Sequence, residues 1–218
     1  MKVLKLKLFQ ETACYKKPFA FKVGETYPLP PYSTVKGMLH RVLDAEEFIP
    51  MKISIQGNYD SKFVDYQNMY FDKDDKTTKM PLNIHLLHNV ELIIHVKAKE
   101  EVLNRIIKGI KNSNEYLSLG RREDLIRIDE IKFVDLDEYD PWEKGKNYFI
   151  KYPIYIPINK ITEEIEGINY RLNWKYKIID DLRQWEKIDV KYVEKGSELS
   201  DEIDITIDED KDLVFFNL

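Results

Sequence analysis

Alternation of apolar and polar residues opens the chain. Leu4, Leu6 and Leu8 fall on one side of an extended segment, with Val3, Lys5, Lys7 and Phe9 on the other. A period of two marks a half-buried strand. A Pro-bearing stretch follows, ending in Pro28-Leu29-Pro30-Pro31. The period then changes: Val35, Met38, Leu39, Val42 and Leu43 sit at i, i+3, i+4, i+7 and i+8, predicting a helix that Ser33 or Thr34 can cap. Met51 to Gln56 alternates as a second strand. Phe63 to Phe71 and Leu82 to Leu87 predict the arms of a hairpin around the polar tip 72–78, and Val90 to Lys97 a further strand. Val102, Leu103, Ile106, Ile107 and Ile110 mark a second amphipathic helix. A loop over 118–124 then leads to strand-like residues 125–136.

The order is β-α-β, a hairpin insertion, then β-α-β, which predicts an α+β protein with a ferredoxin-like unit. It covers about the first 136 residues, within a domain drawn at 1–140 that carries the insertion at about 58–89. Such a unit, like an RNA-recognition domain, has helices on one sheet face and leaves the other open. On that open face the first strand would present Lys5, Lys7 and Phe9. Past Asp140-Pro141-Trp142 the pattern is strand-like without strong helices, so 141–218 reads as a smaller β-rich C-terminal domain. Pro153 and Pro157 suit an edge position or a bulge. Residues 170–178 and 185–193 alternate, and Leu213 to Phe216 is apolar enough to dock as a strand.

Charge is uneven along the chain. The formal net is −5, but residues 194–212 hold nine acids and two lysines, a net of −7. Residues 1–41 hold eight Lys/Arg against Glu11 and Glu25, a net of +6. Binding responds to the local field, so an acidic total does not exclude a nucleic-acid partner. The acidic stretch reads either as a tail or as a guard against wrong RNA. With 43% hydrophobic and 33% charged residues over 218 positions, the chain is a globular protein, long enough for a core without staples. The single Cys14 excludes an internal disulfide and a cysteine-based zinc site. No apolar run reaches the roughly 18 residues of a membrane span, and the alternating N-terminus is not a signal-peptide core. These features place the chain in the cytoplasm.

Few motifs point to conventional chemistry. There is no phosphate-binding Gly-Lys-Ser/Thr loop and no Gly-x-Ser-x-Gly elbow. His85 and His88 are three apart on a strand, so they point to opposite faces and read as ordinary strand residues. The segment Tyr32-Ser33-Thr34-Val35-Lys36-Gly37 is more suggestive. It opens a helix whose free N–H groups form an anion site, and Gly37 permits close approach. The plain alternative is a well-capped helix with a packing glycine. In Gly120-Arg121-Arg122-Glu123-Asp124, two planar donors suit phosphates. Alternatively, both arginines pair locally with Glu123 and Asp124. The glycine inclines the reading towards phosphate. Lys16 and Lys17, beside Tyr15 and Phe19, add charge and stacking faces. Arg171, Lys175 and Lys177 read as a solvated strand face.

Three stretches together resemble a known family: Tyr15-Lys16-Lys17-Pro18; Thr26-Tyr27-Pro28-Leu29-Pro30-Pro31-Tyr32-Ser33-Thr34-Val35-Lys36-Gly37-Met38-Leu39; and Leu117-Ser118-Leu119-Gly120-Arg121-Arg122-Glu123-Asp124-Leu125. They are similar to the fifth CRISPR-associated (Cas) protein family, RAMP-superfamily subunits that hold the 5′ handle of the guide RNA in type I Cascade; the subtype I-B branch is most similar. The resemblance implies a ferredoxin-like (RRM-like) palm, an inserted hairpin used as a thumb, and a variable C-terminal β domain. It also implies an antiviral-defence role: a non-catalytic subunit that caps the crRNA handle beside the backbone and large subunits, without cofactor or metal. Lys16, Lys17, Tyr32, Ser33, Thr34, Lys36, Gly37, Arg41, Gly120, Arg121 and Arg122 would form the RNA-binding surface. Two departures matter. Family members often carry aromatic-Arg where this chain has Tyr15-Lys16, which loses a bidentate fork. The Lys-His pair of members that cleave precursor RNA is absent. The alternative is a metal-independent endoribonuclease in which His40 works with Lys36 or a nearby Tyr.

Overall fold

The computed structural model describes residues 2–18, 20, 23–73, 76–141, 147–162, 164–200 and 203–217. Phe19, the hairpin tip Asp74-Asp75 and the boundary residue Trp142 lie outside the described residues. In chain order the elements are β1 (Val3–Ala13), β2 (Val23–Gly24), α1 (Tyr32–Val42), β3 (Lys52–Asn58), β4 (Ser61–Lys73), β5 (Lys76–Lys97), α2 (Glu100–Lys111), β6 (Arg127–Val134) and β7 (Leu136–Tyr139). They continue with β8 (Tyr148–Phe149), β9 (Ile154–Pro157), a 3-10 turn at Ile158–Lys160, β10 (Ile168–Ile179), β11 (Leu182–Val193), β12 (Glu198–Leu199) and β13 (Ile205–Asp208). The protein is α+β, and none of its described helices is long and apolar enough to cross a membrane.

Nine of these strands form one sheet, in the order β10-β11-β9-β3-β5-β1-β6, with β2 and β4 also on β5. The long strand β5 is the axis. Its second half pairs β3 and β1, from Lys52↔Lys97 to Asn58↔Glu91 and from Leu4↔Val96 to Ala13↔Leu87. Its first half pairs β4 from Ser61↔His88 to Lys73↔Lys76. The hairpin arm and the strand expected at 90–97 are therefore one continuous element. It turns at Asn89, whose φ of 51° is a left-handed conformation that Asn tolerates. Residues 154–193 extend the same sheet beyond β3 through β9, β11 and β10.

One face of the sheet is covered by the helices. Leu4, Leu6 and Leu8 of β1 share a core with Val35 and Leu39 of α1 and with Leu103 and Ile106 of α2. In α2, Glu100 and Glu101 lie in the first turn and Lys108 and Lys111 in the last, matching the helix dipole at both ends. α1 departs from expectation at its start. It begins at Tyr32 with Pro31 as N-cap, and neither Ser33 nor Thr34 caps it with a side chain. Pro31, with φ fixed by its ring, instead offers its carbonyl to the N–H groups of Thr34 (2.9 Å) and Val35 (3.3 Å).

The second face is covered too, contrary to the expectation that it is open. Lys5, Ser54, Gln56 and His95 all point there and are buried. Above them lies a second apolar cluster that includes Tyr148, Ile154, Leu199, Ile205, Leu213 and Phe215. Lys5, expected to be exposed, is 0% accessible. Its Nζ lies 2.5, 2.7 and 2.6 Å from carboxylates of Asp208, Asp210 and Asp212. Phe9 is half-buried under the Arg127 guanidinium, 4.5 Å from the ring centroid, and Lys7 pairs with Glu130. The acidic stretch is thus docked over part of its length. Leu213 to Phe216 also docks, though not as a strand. Leu213 makes one isolated bridge, the Phe215 N–H donates to Ser54 Oγ, and the Ile53 N–H donates to Asn217 Oδ1. Side chains thus supply partners that a ladder would otherwise provide.

Candidate nucleic-acid interface

A short strap leaves β1 and returns before α1. Lys16 bridges Thr26, the Tyr27 N–H donates to the Tyr15 carbonyl at 2.9 Å, and the Tyr15 N–H donates to Thr26 Oγ1. The strap buries Tyr15 and leaves Lys16 exposed. Lys17 is half-buried, 5.9 Å from the ring centroids of both Tyr27 and Tyr170, and makes a loose pair with Glu25 at 3.3 Å. An exposed pair of this kind contributes little, so Lys17 keeps most of its charge for a ligand.

Where the strap meets the start of α1, a groove of about 280 Å³ is lined by Lys16, Pro18, Tyr27, Pro31, Ser33, Thr34, Asn173 and Trp185. Lys16, Ser33 and Thr34 were expected at the site, and the fold brings them together. Asn173 and Trp185 were not. They arrive from β10 and β11, whose alternation predicts strands but not which neighbour they lean on. The helix end in this groove has no side-chain cap, and the hydroxyls of Ser33 and Thr34 make no hydrogen bond among the described residues. Uncapped N–H groups and a helix dipole together favour an anion.

Other expected site residues are placed differently. Tyr32 is fully buried against Tyr155 and Trp174, at centroid distances of 6.2 and 6.3 Å. Lys36 is 9% exposed and donates to the Trp174 carbonyl at 2.5 Å. Its Nζ lies 4.5 Å from the Trp174 ring centroid and 4.9 Å from that of Phe48. Burial, reinforced by the Lys175 charge, brings its pKa down to about 8. Gly37 is exposed on α1, and a Cβ there would meet nothing within 4 Å, so no packing contact requires the glycine. Arg41 is exposed, with a loose pair to Glu115 at 3.4 Å, and does not line the groove. His40 has both ring nitrogens engaged. Nδ1 faces the Lys36 carbonyl at 2.9 Å, and Nε2 accepts the Ile49 N–H at 3.0 Å. That pairing requires the neutral Nδ1–H tautomer, and burial lowers the ring's pKa.

The two arginines of the 120–124 loop part company. Arg121 turns inward. Its guanidinium reaches Asp124 at 2.7 and 3.1 Å, Gln67 Oε1 at 3.1 Å and Glu123 at 3.1 Å. Burial opposes its charge, but Asp124 outweighs that and raises its pKa. Asp124 is fully buried and also accepts the N–H groups of Cys14 and Arg121. Gly120 is required here: its φ is +116°, and a Cβ would lie 2.7 Å from Asp124 Oδ2. Local pairing, one of the two sequence readings, thus describes Arg121. Arg122 is exposed and makes no ion pair among the described residues.

The outward alternation of β10 and β11 is satisfied by cross-strand pairs, Arg171 with Asp189 and both Lys175 and Lys177 with Glu186. The three carboxylates of Asp208, Asp210 and Asp212 converge as metal ligands would, but the Lys5 ammonium sits among them.

The class so defined is an α+β protein with an anion-ready groove beside a basic strap. In sequence, residues 3–154 match the family described as CRISPR-associated protein (Cas_Cas5). The chain belongs to that family. In structure it is similar to a chain of a CRISPR RNA-guided surveillance complex, with a TM-score of 0.61, 13% identity and 92% of each chain covered. That is a shared fold. Solved structures of a Cas protein (13% identity, 89% of this chain and 98% of that one) and of a CRISPR protein from Archaeoglobus fulgidus (11% identity, 100% and 99%) each align at a TM-score of 0.47. No curated protein matches in sequence.

Proposed function

We propose that this chain is a non-catalytic RNA-binding subunit of a type I Cascade complex and caps the 5′ handle of the guide RNA. The strands β1, β3, β5 and β6 with α1 and α2 read as a ferredoxin-like palm, and the β4–β5 hairpin as its thumb. Membership of the CRISPR-associated family supports a role in antiviral defence. The groove carries the reading: Lys16 and the uncapped start of α1 offer charge and N–H donors to a phosphate, and Trp185 offers a ring face to a base. Single-stranded RNA is held by this combination of donors and stacking. Exposed Val64, Tyr66 and Tyr70 on the hairpin suit docking to the backbone subunit, with the large subunit as a further protein partner.

The alternative, a metal-independent endoribonuclease, needs a free base and acid near a ribose 2′-hydroxyl. His40 has no free nitrogen and Lys36 is nearly enclosed, so binding without cleavage is the better reading. The test is a pull-down of the co-expressed Cascade subunits followed by RNA sequencing, with precursor RNA incubated separately in chelator. Handle RNA recovered with the intact chain, and absent when Lys16, Ser33 and Thr34 are all replaced by Ala, is the expected result. Assembly without handle RNA would sink the proposal. Cleavage at one position, abolished by His40→Ala, would replace it with the enzyme.

A further inference from the structure

The turn Asp208-Glu209-Asp210-Lys211-Asp212 places a carboxylate at every second residue. It folds around its first acid: Asp208 Oδ1 accepts the N–H groups of Asp210 (2.9 Å) and Asp212 (2.8 Å). The main chain closes the turn, with the Lys211 N–H donating to the Asp208 carbonyl at 2.8 Å and the Asp208 N–H to the Asp212 carbonyl at 3.0 Å. Lys211 takes a φ of 63° to do so. The result is three carboxylate oxygens within 4.8 Å of one another. Loops that hold a hard divalent cation use the same device, acids at alternate positions with their oxygens converging.

Three carboxylates this close repel one another, and Asp208 and Asp212 are buried. A cation among them is a physical requirement. The cation comes from the chain itself. Lys5, in β1 and more than 200 residues away, brings Nζ to 2.5 Å from Asp208, 2.7 Å from Asp210 and 2.6 Å from Asp212. An ammonium has three donors, and here each has one carboxylate. Lys132 adds a second cation to Asp210 at 2.8 Å, and His95 Nε2 lies 2.9 Å from Asp208.

We propose that residues 208–212 are a cation-binding loop whose resident cation is the Lys5 ammonium, and that this pairing latches residues 203–217 over the second face of the sheet. The face that an RNA-recognition domain would offer to RNA is therefore closed from within. The acidity of this segment serves the fold rather than a partner. The loop is also a latent metal site. Without Lys5 it presents three hard oxygen donors to calcium, the ion most tolerant of irregular oxygen cages.

The experiment compares the intact chain with Lys5→Ala, each with and without millimolar calcium. The readouts are calorimetric calcium titration and hydrogen exchange at the amides of Asp212, Phe215 and Asn217. The intact chain is expected to take up no calcium and to keep these amides protected in either buffer. Lys5→Ala is expected to lose that protection and to regain it with one calcium per chain. If Lys5→Ala is recovered only from refolding, the yield with and without calcium gives the same comparison. A further variant, Lys5→Met with Asp208, Asp210 and Asp212 all changed to Asn, should restore protection and ignore calcium. Stoichiometric calcium uptake by the intact chain would overturn the proposal, as would unchanged protection in Lys5→Ala or calcium failing to restore it.

Discussion

Two polar clusters in this molecule are built on opposite terms. Around Lys5 every charge is answered: three carboxylates surround one ammonium, and Asp208 accepts two further N–H groups. At the start of α1 the reverse holds. The helix has no side-chain cap, Ser33 and Thr34 keep their hydroxyls free among the described residues, and Lys16 is exposed without an ion pair among them. A buried network is tolerable only when complete, whereas an open groove can leave donors unpaired because water serves until a ligand arrives. Paired charge separates the cluster that holds the fold from the one that waits for a partner. The one loose end beside Asp208 is His95 Nδ1, buried with no hydrogen bond among the described residues.

The sharpest break in the comparison is Lys5→Met. It leaves three carboxylates without their cation, and breaking a buried pair from one side costs about 3–5 kcal/mol. Urea unfolding should show that loss together with a smaller m-value, because a released 203–217 segment leaves less surface to expose on unfolding. The latch also has a pH window. Burial works against the charge of Asp208, but His95 and Lys5 hold its pKa well below the usual carboxylate range. Lys132 and then Lys5 bring Asp210 down to about 2. Both acids have depressed folded-state values, so their contribution is full above about pH 4 and fades as pH falls towards 2. In Lys5→Met part of that acid sensitivity should disappear.

Arg121→Ala comes next. Asp124 would keep its two backbone donors but lose the guanidinium, so the cost sits at the low end of the same range, about 3 kcal/mol. Thermal melts of Arg121→Ala and Arg122→Ala side by side check this, since Arg122→Ala should change stability by less than about 0.5 kcal/mol. The pair shows how far sequence carries. Both helices were legible from their 3.6-residue period, because a buried stripe on a surface helix leaves that pattern in any sequence. So were the alternating strands. Adjacent arginines, by contrast, look alike until the chain is folded, and nothing in their order says which one turns towards a buried acid. Lys5 was illegible for a different reason: alternation marks it as polar and therefore outward, and its partners lie more than 200 residues away. Trp185 and Asn173 were hidden because pairing within β10–β11 gives no clue to what packs beside them.

Lys36 tests the boundary between the two clusters. It is nearly buried and donates to a carbonyl rather than a carboxylate, and burial with the nearby Lys175 charge brings its pKa down to about 8. Between pH 8 and its unfolded value near 10.5, the unfolded chain binds more protons than the native one. Stability should therefore rise with pH across that window, by on the order of 2 kcal/mol. Unfolding at pH 8 and pH 10 measures it, and Lys36→Met should flatten the slope. A slope unchanged in Lys36→Met would assign the effect to other groups. At the groove itself, Trp185→Ala should weaken handle-RNA binding by about 1–3 kcal/mol, the contribution of one stacked base. An unchanged affinity would remove Trp185 from the interface.

The smallest effects belong to the exposed cations, and they are the most discriminating. Lys16 and Arg122 form no ion pair among the described residues, so replacing either with Ala should leave the melting temperature within error. Removing one cation from an RNA phosphate should still lower the salt slope of binding by about 0.7, the value for single strands. The two decrements should add, because the residues share no partner. Arg121→Ala supplies the control from the other side: its guanidinium is 17% exposed and bound to Asp124, so molecules that still fold should keep the full slope. Binding measured at two salt concentrations for these variants separates charge held for RNA from charge committed to the fold. If Lys16→Ala or Arg122→Ala leaves the slope unchanged, that residue's freedom is only solvent exposure. A reduced slope in Arg121→Ala would mean that its pair with Asp124 opens when RNA arrives.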